Sequence, residues 1–271
     1  MSSINKKEPV AKPAAVLDRL SSQQTLQAGA QKLGVSLDDH QVTQLLDYMA
    51  LLIKWNAVYN LTAIRDPAQM VPNHLLDCLA VVSAFTGARR VLDVGAGAGL
   101  PGIVIAIWAQ VAQPAMQITL VDTVHKKTAF LMQVKAALRL ENVSVVTARV
   151  EQLPSAMPFD IITSRAFAEL KDFVAWSGHL LAEGGQFIAM KGVVPEEEIA
   201  RLPASWTVTK IVPLEVPHLS AKRHLIHVAG QSDLGTSAVP TKDNPSQPAN
   251  KALAGLQYGP EHATCMPSRI T

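Results

Sequence analysis

The stretch Arg90-Val91-Leu92-Asp93-Val94-Gly95-Ala96-Gly97-Ala98-Gly99-Leu100-Pro101-Gly102 decides the fold. Val91 to Val94 read as a short buried strand, glycines follow at alternate or near-alternate positions, and Ile103 to Ala112 read as an apolar helix. Strand, glycine loop and helix in that order form the first turn of a doubly wound, mostly parallel α/β sheet. Glycine lets backbone come close to a ligand where a Cβ would clash. Pro101 suits the opening turn of the helix, where a missing N–H costs little. The free N–H groups and the dipole at that end favour a carboxylate or a phosphate.

Several readings compete for the loop. Gly97-x-Gly99-x-x-Gly102 matches the dinucleotide fingerprint and would make the chain an NAD-type oxidoreductase, but that match alone is weak. The longer run, Asp93-x-Gly95-x-Gly97-x-Gly99, resembles the first motif of class I S-adenosylmethionine methyltransferases. An acid at the strand tip can pair with the ammonium of that donor, directly or through water. The same acid would repel a pyrophosphate. A structural turn with no ligand is the remaining reading, and glycines this dense weaken a helix start unless something needs the space.

The chain has 271 residues, 48% apolar and 17% charged, enough for a substantial core, with a formal net charge of +2. That balance permits a nucleic-acid partner without arguing for one. Cys78 and Cys265 form no metal or redox motif, so a reducing compartment is the simple reading. The N-terminus shows no apolar signal region, and Gly102 to Ala112, the most apolar run, falls short of the roughly 20 residues a bilayer needs. A cytoplasmic protein without membrane attachment is expected.

Along the chain, residues 1–20 read as disordered and residues 21–229 as a single domain. Its first part, 21–86, is helical: Gln23 to Leu33, a helix after Ser36 with Asp39 as a capping box, and Pro67 to Phe85, which Pro72 must kink or whose start it must delay. Residues 87–229 alternate strand and helix and end in an antiparallel hairpin, Trp206 to Val216 with His224 to Val228. Residues 230–271, rich in Ser, Pro, Asn, Gly and Thr, read as a disordered tail. No separate substrate domain is left over for a dehydrogenase.

Asp122 ends the second strand about 20 residues beyond the glycines, where an acid grips ribose hydroxyls; the same position suits a helix N-cap. Arg149-Val150-Glu151 follows the third strand, where an adenine would lie; an ordinary strand exit is the alternative. Ser164-Arg165-Ala166-Phe167 follows the fourth strand, where methyltransferases hold the reacting atom. The Asn/Asp-Pro-Pro-aromatic set used on exocyclic amines is absent there, and Cys78 has none of the Pro-Cys context that pyrimidine C5 chemistry uses. The target should therefore be a nucleophile already, such as guanine N7, and the enzyme needs alignment rather than a general base. Arg165 could hold the cofactor or the guanine, and Phe167 could stack on the base. Lys54 to Ile64 is either a packed helix end with Asn turns or a wall of the substrate pocket, with Tyr59 or Asn60 facing the ligand. Lys126, Lys127, Lys191, Lys222 and Arg223 are phosphate contacts or plain surface charge. His74, His125 and His224 show no metal spacing, so no metal is expected.

Taken together, the chain closely resembles the bacterial ribosomal small-subunit methyltransferase G family, also called glucose-inhibited division protein B. The landmarks are Lys54-Trp55-Asn56-x-x-Tyr59-Asn60-Leu61-Thr62, His74-Leu75-Leu76-Asp77, the glycine loop from Leu92 to Gly102, Asp122 with Lys126-Lys127, Arg149-Val150-Glu151, Ser164-Arg165-Ala166-Phe167, Lys191-Gly192 and Arg223-His224. The resemblance implies a Rossmann-like fold and N7 methylation of guanine 527 in the 530 loop of 16S rRNA, in the small ribosomal subunit. S-adenosylmethionine is then the donor, with Gly95, Leu100, Val150, Glu151 and Arg165 as its contacts beside Asp122. Departures are alanines at 96 and 98, where relatives often carry Thr and Pro, and the long tail. A non-catalytic regulator that binds the same donor is the rival its second name suggests.

Overall fold

Apolar residues recurring every three to four positions make the N-terminal part helical. In the computed structural model, which describes residues 16–231, helix α1 (Arg19–Lys32) begins at Asp18, whose side chain accepts from the Ser21 N–H. Residues 19 and 20, expected to be disordered, are thus helix; the rest of that expectation, up to residue 15, lies outside the described residues. The capping box of α2 (Asp39–Tyr59) is Asp38 with Gln41, not Ser36 with Asp39. Asp38 has the extended backbone a cap needs, and Gln41 has the length to reach back to its N–H.

The single helix expected over Pro67 to Phe85 is four short pieces. They are α3 (Pro67–Met70), a π-helical turn (Val71–Leu76), α4 (Asp77–Leu79) and a 3₁₀ turn (Val82–Phe85). Pro72 has no N–H to give and sits where the helical rungs widen.

The remaining elements are β1 (Arg90–Val94), α5 (Gly102–Ala112), β2 (Gln117–Asp122), α6 (His125–Leu138), β3 (Val143–Thr147), β4 (Phe159–Arg165), α7 (Leu170–Ser177), β5 (Leu181–Lys191), α8 (Glu196–Ala200), β6 (Trp206–Leu214) and β7 (Arg223–Gly230). They build one seven-stranded sheet in the order β3-β2-β1-β4-β5-β7-β6. The first five strands are parallel, and β7 runs antiparallel to both β5 and β6. This is the class I methyltransferase sheet, with its reversed strand inserted at the β5 edge. A dinucleotide-binding sheet would continue in parallel there. Strand β7 runs two residues past the expected Val228, and the tail from residue 232 onward, Cys265 included, lies outside the described residues.

Alternate side chains of the central strands enter two cores. Val91, Ile118, Leu120 and Ile161 face α1, α2, α5 and α6, whereas Leu92, Val94, Val121 and Ile162 face α7. Strands buried on both faces read as continuous apolar runs, which is why β1 is legible as a strand at all. Two glutamines lock the N-terminal helices to the sheet layer. The Gln44 amide donates to the Leu138 carbonyl at the end of α6, and the Gln41 amide donates to Ile107 and Trp108 carbonyls on α5. Among the described residues no helix is long and apolar enough to cross a membrane.

Candidate functional site

The strand order reverses between β1 and β4, so their C-terminal ends diverge and leave a crevice. A cleft of about 290 Å³ opens there, over the ends of β1, β2 and β3. Gly95, Asp122, Val150, Glu151, Phe167 and Trp176 are among its walls. Four of the six residues put forward as cofactor contacts therefore share one cavity.

Its floor depends on the absence of side chains. Gly95 has φ +66°, a left-handed backbone, and a Cβ there would run into the Phe167 ring. Gly97 is also left-handed at φ +56°, but its Cβ position faces open space, with only the Gly95 carbonyl oxygen at 3.6 Å. The Gly97 N–H donates to Asp122 Oδ2 at 3.0 Å. Asp122 Oδ1 accepts from the Val124 N–H at 2.9 Å, and Lys127 Nζ stands 3.4 Å from Oδ2. Asp122 thus ties the glycine loop to the start of α6 and still has lone pairs toward the cleft. It is not the N-cap of α6, which is Val124 without a side-chain cap bond; Asp122 holds the backbone just before the helix instead. Lys127 is paired with it rather than turned to an outside phosphate.

Val150 opens a 3₁₀ turn (Val150–Gln152) after β3, where the first N–H groups have no partner within the turn. The opposite wall is the segment after β4. Phe167 packs edge-on against Trp176 and Phe173, with centroids 5.8 and 6.4 Å apart. Lys191 and Glu198 hold this segment. Lys191 Nζ lies 2.8 Å from Glu198 Oε2 and donates to the Ala168 carbonyl, while Glu198 Oε2 accepts from the Leu170 N–H. Lys191, considered above as a phosphate contact, is thereby a partly buried anchor for the Phe167 loop.

Asp93 sits elsewhere than its motif suggests. It shares the face of Val91, is fully buried, and its Oδ2 accepts from the Gly102 N–H at 2.8 Å, capping the start of α5. Its Oδ1 has no partner, and burial pushes its carboxyl up to about 7 against the pull of the Gly102 N–H and Arg165. Direct pairing with a ligand ammonium is not what this geometry offers.

Leu100 and Arg165 also stand apart from the cleft lining. Leu100 is buried in the core beside α5. Arg165 Nη1 donates to Asp77 Oδ2 and to the Asn73 carbonyl, both at 3.1 Å. Arg223 Nε donates to the other oxygen, Asp77 Oδ1, at 2.9 Å. One buried carboxylate from α4 therefore holds two arginines, from β4 and β7. His74, packed beside them, is held neutral, its pKa lowered to about 4 by burial and by Arg165. Tyr59 packs against Trp55 with the rings tilted 37°, Asn60 caps α2 in a left-handed conformation while accepting from Arg65, and neither lines the cleft. Sequence reasoning missed Trp176, which no motif marks. It named Asp77 as a landmark without giving it work. Among the described residues no group of three His, Cys, Asp or Glu side chains is placed to hold a metal.

Comparison with known proteins places these features in context. The family model described as rRNA small subunit methyltransferase G matches residues 41–226. The chain is 64% identical over 211 residues to the ribosomal RNA small subunit methyltransferase G of Herminiimonas arsenicoxydans, covering 78% of this chain and 97% of that one. It is 62% identical over 211 residues to the protein of the same name from Janthinobacterium sp. (strain Marseille), covering 78% and 96%. Among solved structures, the N-methyltransferase NodS of Bradyrhizobium japonicum with S-adenosyl-L-homocysteine aligns over 65% of this chain and 98% of that chain, at 15% identity and a TM-score of 0.47.

Proposed function

The chain belongs to the rRNA small subunit methyltransferase G family, and from that premise we propose that it moves the methyl group of S-adenosylmethionine to N7 of guanine 527 in the 530 loop of 16S rRNA. The observation that carries the reading is the cleft. Left-handed Gly95 lies in its lining, where a Cβ would displace the Phe167 ring that forms the facing wall, and acid, apolar and aromatic residues surround it. These residues fit a nucleoside-bearing donor. Asp122 would accept from the ribose hydroxyls. Val150 and Glu151 would take the adenine, one by apolar contact and the other through its backbone N–H. Gly95 would allow close approach, and Leu100 would contribute through its backbone. Arg165, with part of its guanidinium free, completes the proposed set at the boundary with the acceptor side.

Bound there, the donor supplies a sulfonium methyl, an electrophile that needs no activation by the protein. The chain's own work is placement. Ser164 and Arg165 end β4, two residues further than the sequence reading placed the strand, Ala166 and Phe167 follow it, and none of the four is a general base at neutral pH. That suits an acceptor whose lone pair is free, since N7 loses no proton when it attacks. Phe167, braced by Trp176 and the Lys191–Glu198 pair, would support a base by stacking. An rRNA acceptor puts this work in the cytoplasm.

Methyl-labelled donor, the full chain, and either naked 16S rRNA or small-subunit particles test the reading. Label mapped to N7 of guanine 527 in at least one substrate is the expected result. Label at another nucleotide, or in neither substrate, contradicts it.

A further inference from the structure

Asp77, Arg165 and Arg223 meet at the sheet edge beside the cleft, and none of the three is among its lining residues. Arg165 ends β4, pairs with Met190 of β5, and Met190 pairs with Leu225 of β7. Arg223 lies two residues before Leu225, so both arginines stand at the same C-terminal edge as Gly95. In an open α/β sheet that edge is where ligands bind. Asp77 comes from the helical layer above and is 2% exposed.

One carboxylate neutralises one guanidinium. A purely structural pair would stop there, because a second partly buried arginine adds desolvation and repulsion. The other titratable neighbours do little to balance it. His74 and the buried Cys78 thiol and Tyr48 hydroxyl are neutral at pH 7, and Asp93 is only about half ionised there. The cluster therefore carries an excess of positive charge. It is also not sealed, since both arginine side chains remain 22% exposed. Arg165 uses only Nη1 on the described residues, leaving Nε and Nη2, and Arg223 keeps Nη2. Lys222, exposed, adjoins Arg223, whose Nη1 donates to its carbonyl. Fixed guanidinium forks match a phosphate in shape as well as charge.

We propose that the Asp77-clamped arginines form a docking subsite for a phosphodiester of the RNA acceptor, with Asp77 as the positioning residue that sets both forks beside the donor cleft. The inference rests on the RNA methyltransferase reading given above. A phosphodiester seated here would orient the strand so that its base can reach Phe167, and the excess charge would be matched only when RNA is bound.

The test uses the full chain, 16S rRNA as the binding probe, and S-adenosylhomocysteine as a separate probe of the cleft. Arg223→Gln removes one fork, and Arg223→Lys keeps the charge without the fork. Both lie at a strand start rather than in the core, and thermal melts establish that each is folded. Arg223→Gln is expected to weaken RNA binding roughly tenfold and to reduce the slope of log affinity against log salt by about one, with affinity for S-adenosylhomocysteine unchanged. Arg223→Lys should keep most of the salt slope yet lose part of the affinity. Unchanged RNA affinity and slope in folded Arg223→Gln overturn the subsite. So does a loss confined to S-adenosylhomocysteine, which would assign the forks to the donor's carboxylate. If the wild type binds and methylates no RNA, the underlying reading falls and the subsite with it. If the wild type methylates RNA and the variants bind it equally well, only the subsite falls.

Discussion

Over β1, β2 and β3, the cleft is assembled by residues at successive strand ends: Gly95 follows β1, Asp122 ends β2, and Val150 follows β3. Over β4 and β7, the charged cluster joins Asp77 to partners 88 and 146 residues away. The first region is a loop shape that needs small residues and one acid. The second is an ion network that exists only once the whole sheet has closed. Their failures should therefore differ. Damage to the cleft should cost binding with little loss of stability, and damage to the cluster should cost stability first.

The largest effect should follow from Asp77→Ala. Two partly buried guanidiniums would lose their shared acid, and breaking such a contact destabilises by about 3–5 kcal/mol. Urea unfolding measures it, and a loss under about 1 kcal/mol would remove the distinction between the two regions. Next comes Gly97→Val. Left-handed backbone costs a branched residue about 1–2 kcal/mol, but the new Cβ meets only the Gly95 carbonyl oxygen at 3.6 Å, and the change alters the loop that bonds to Asp122. Calorimetry should show S-adenosylhomocysteine affinity down at least ~100-fold, about 2.7 kcal/mol, with the protein still folded. Retained affinity would show that the loop does not hold the donor. Asp122→Asn should be milder, about tenfold, because the amide oxygen can still accept from one loop N–H while a charged hydrogen bond of about 1.5 kcal/mol is lost.

A pH comparison separates two buried groups on the cluster side. Asp93 holds its proton up to about 7 in the fold, against an ordinary 3.8. Unfolding releases that proton between those values, so stability falls as pH rises through the window. His74 stays neutral down to about 4 instead of 6.5, so unfolding takes up a proton and stability rises with pH from about 4 to 6.5. The opposed slopes, each at most about 1.4 kcal/mol per pH unit, largely cancel below 6.5. Asp93→Asn should uncover the His74 slope, with Tm climbing between about pH 4.5 and 6.5 where the wild type is flat. Equal profiles for the two proteins would contradict this assignment.

How much could be read in advance follows the same division. The glycine loop, Asp122 and Val150-Glu151 were legible because strand ends in a parallel sheet converge, so local motifs land in one place. The orientation of Asp93 was not read from its motif, although its alternation with Leu92 and Val94 already placed it on the face of Val91. The break at Pro72 was foreseen as a kink but not as a π-helical turn, since proline marks where rungs fail and not how neighbours re-pair. Lys191 looked like a surface charge because Glu198, its partner, lies across a loop whose course no periodicity describes. Arg165 stood in a landmark stretch, but its side-chain direction is set by Asp77 from a different layer, and nothing in the spacing connects them.

A crystal structure of the full chain with S-adenosylhomocysteine addresses the central claim most directly. The expected result is ribose hydroxyls on Asp122, adenine beside Val150 and Glu151, and the sulfur above Gly95, facing the β4 side. Density for the ligand anywhere else, or a ligand whose ribose leaves Asp122 untouched, would contradict it.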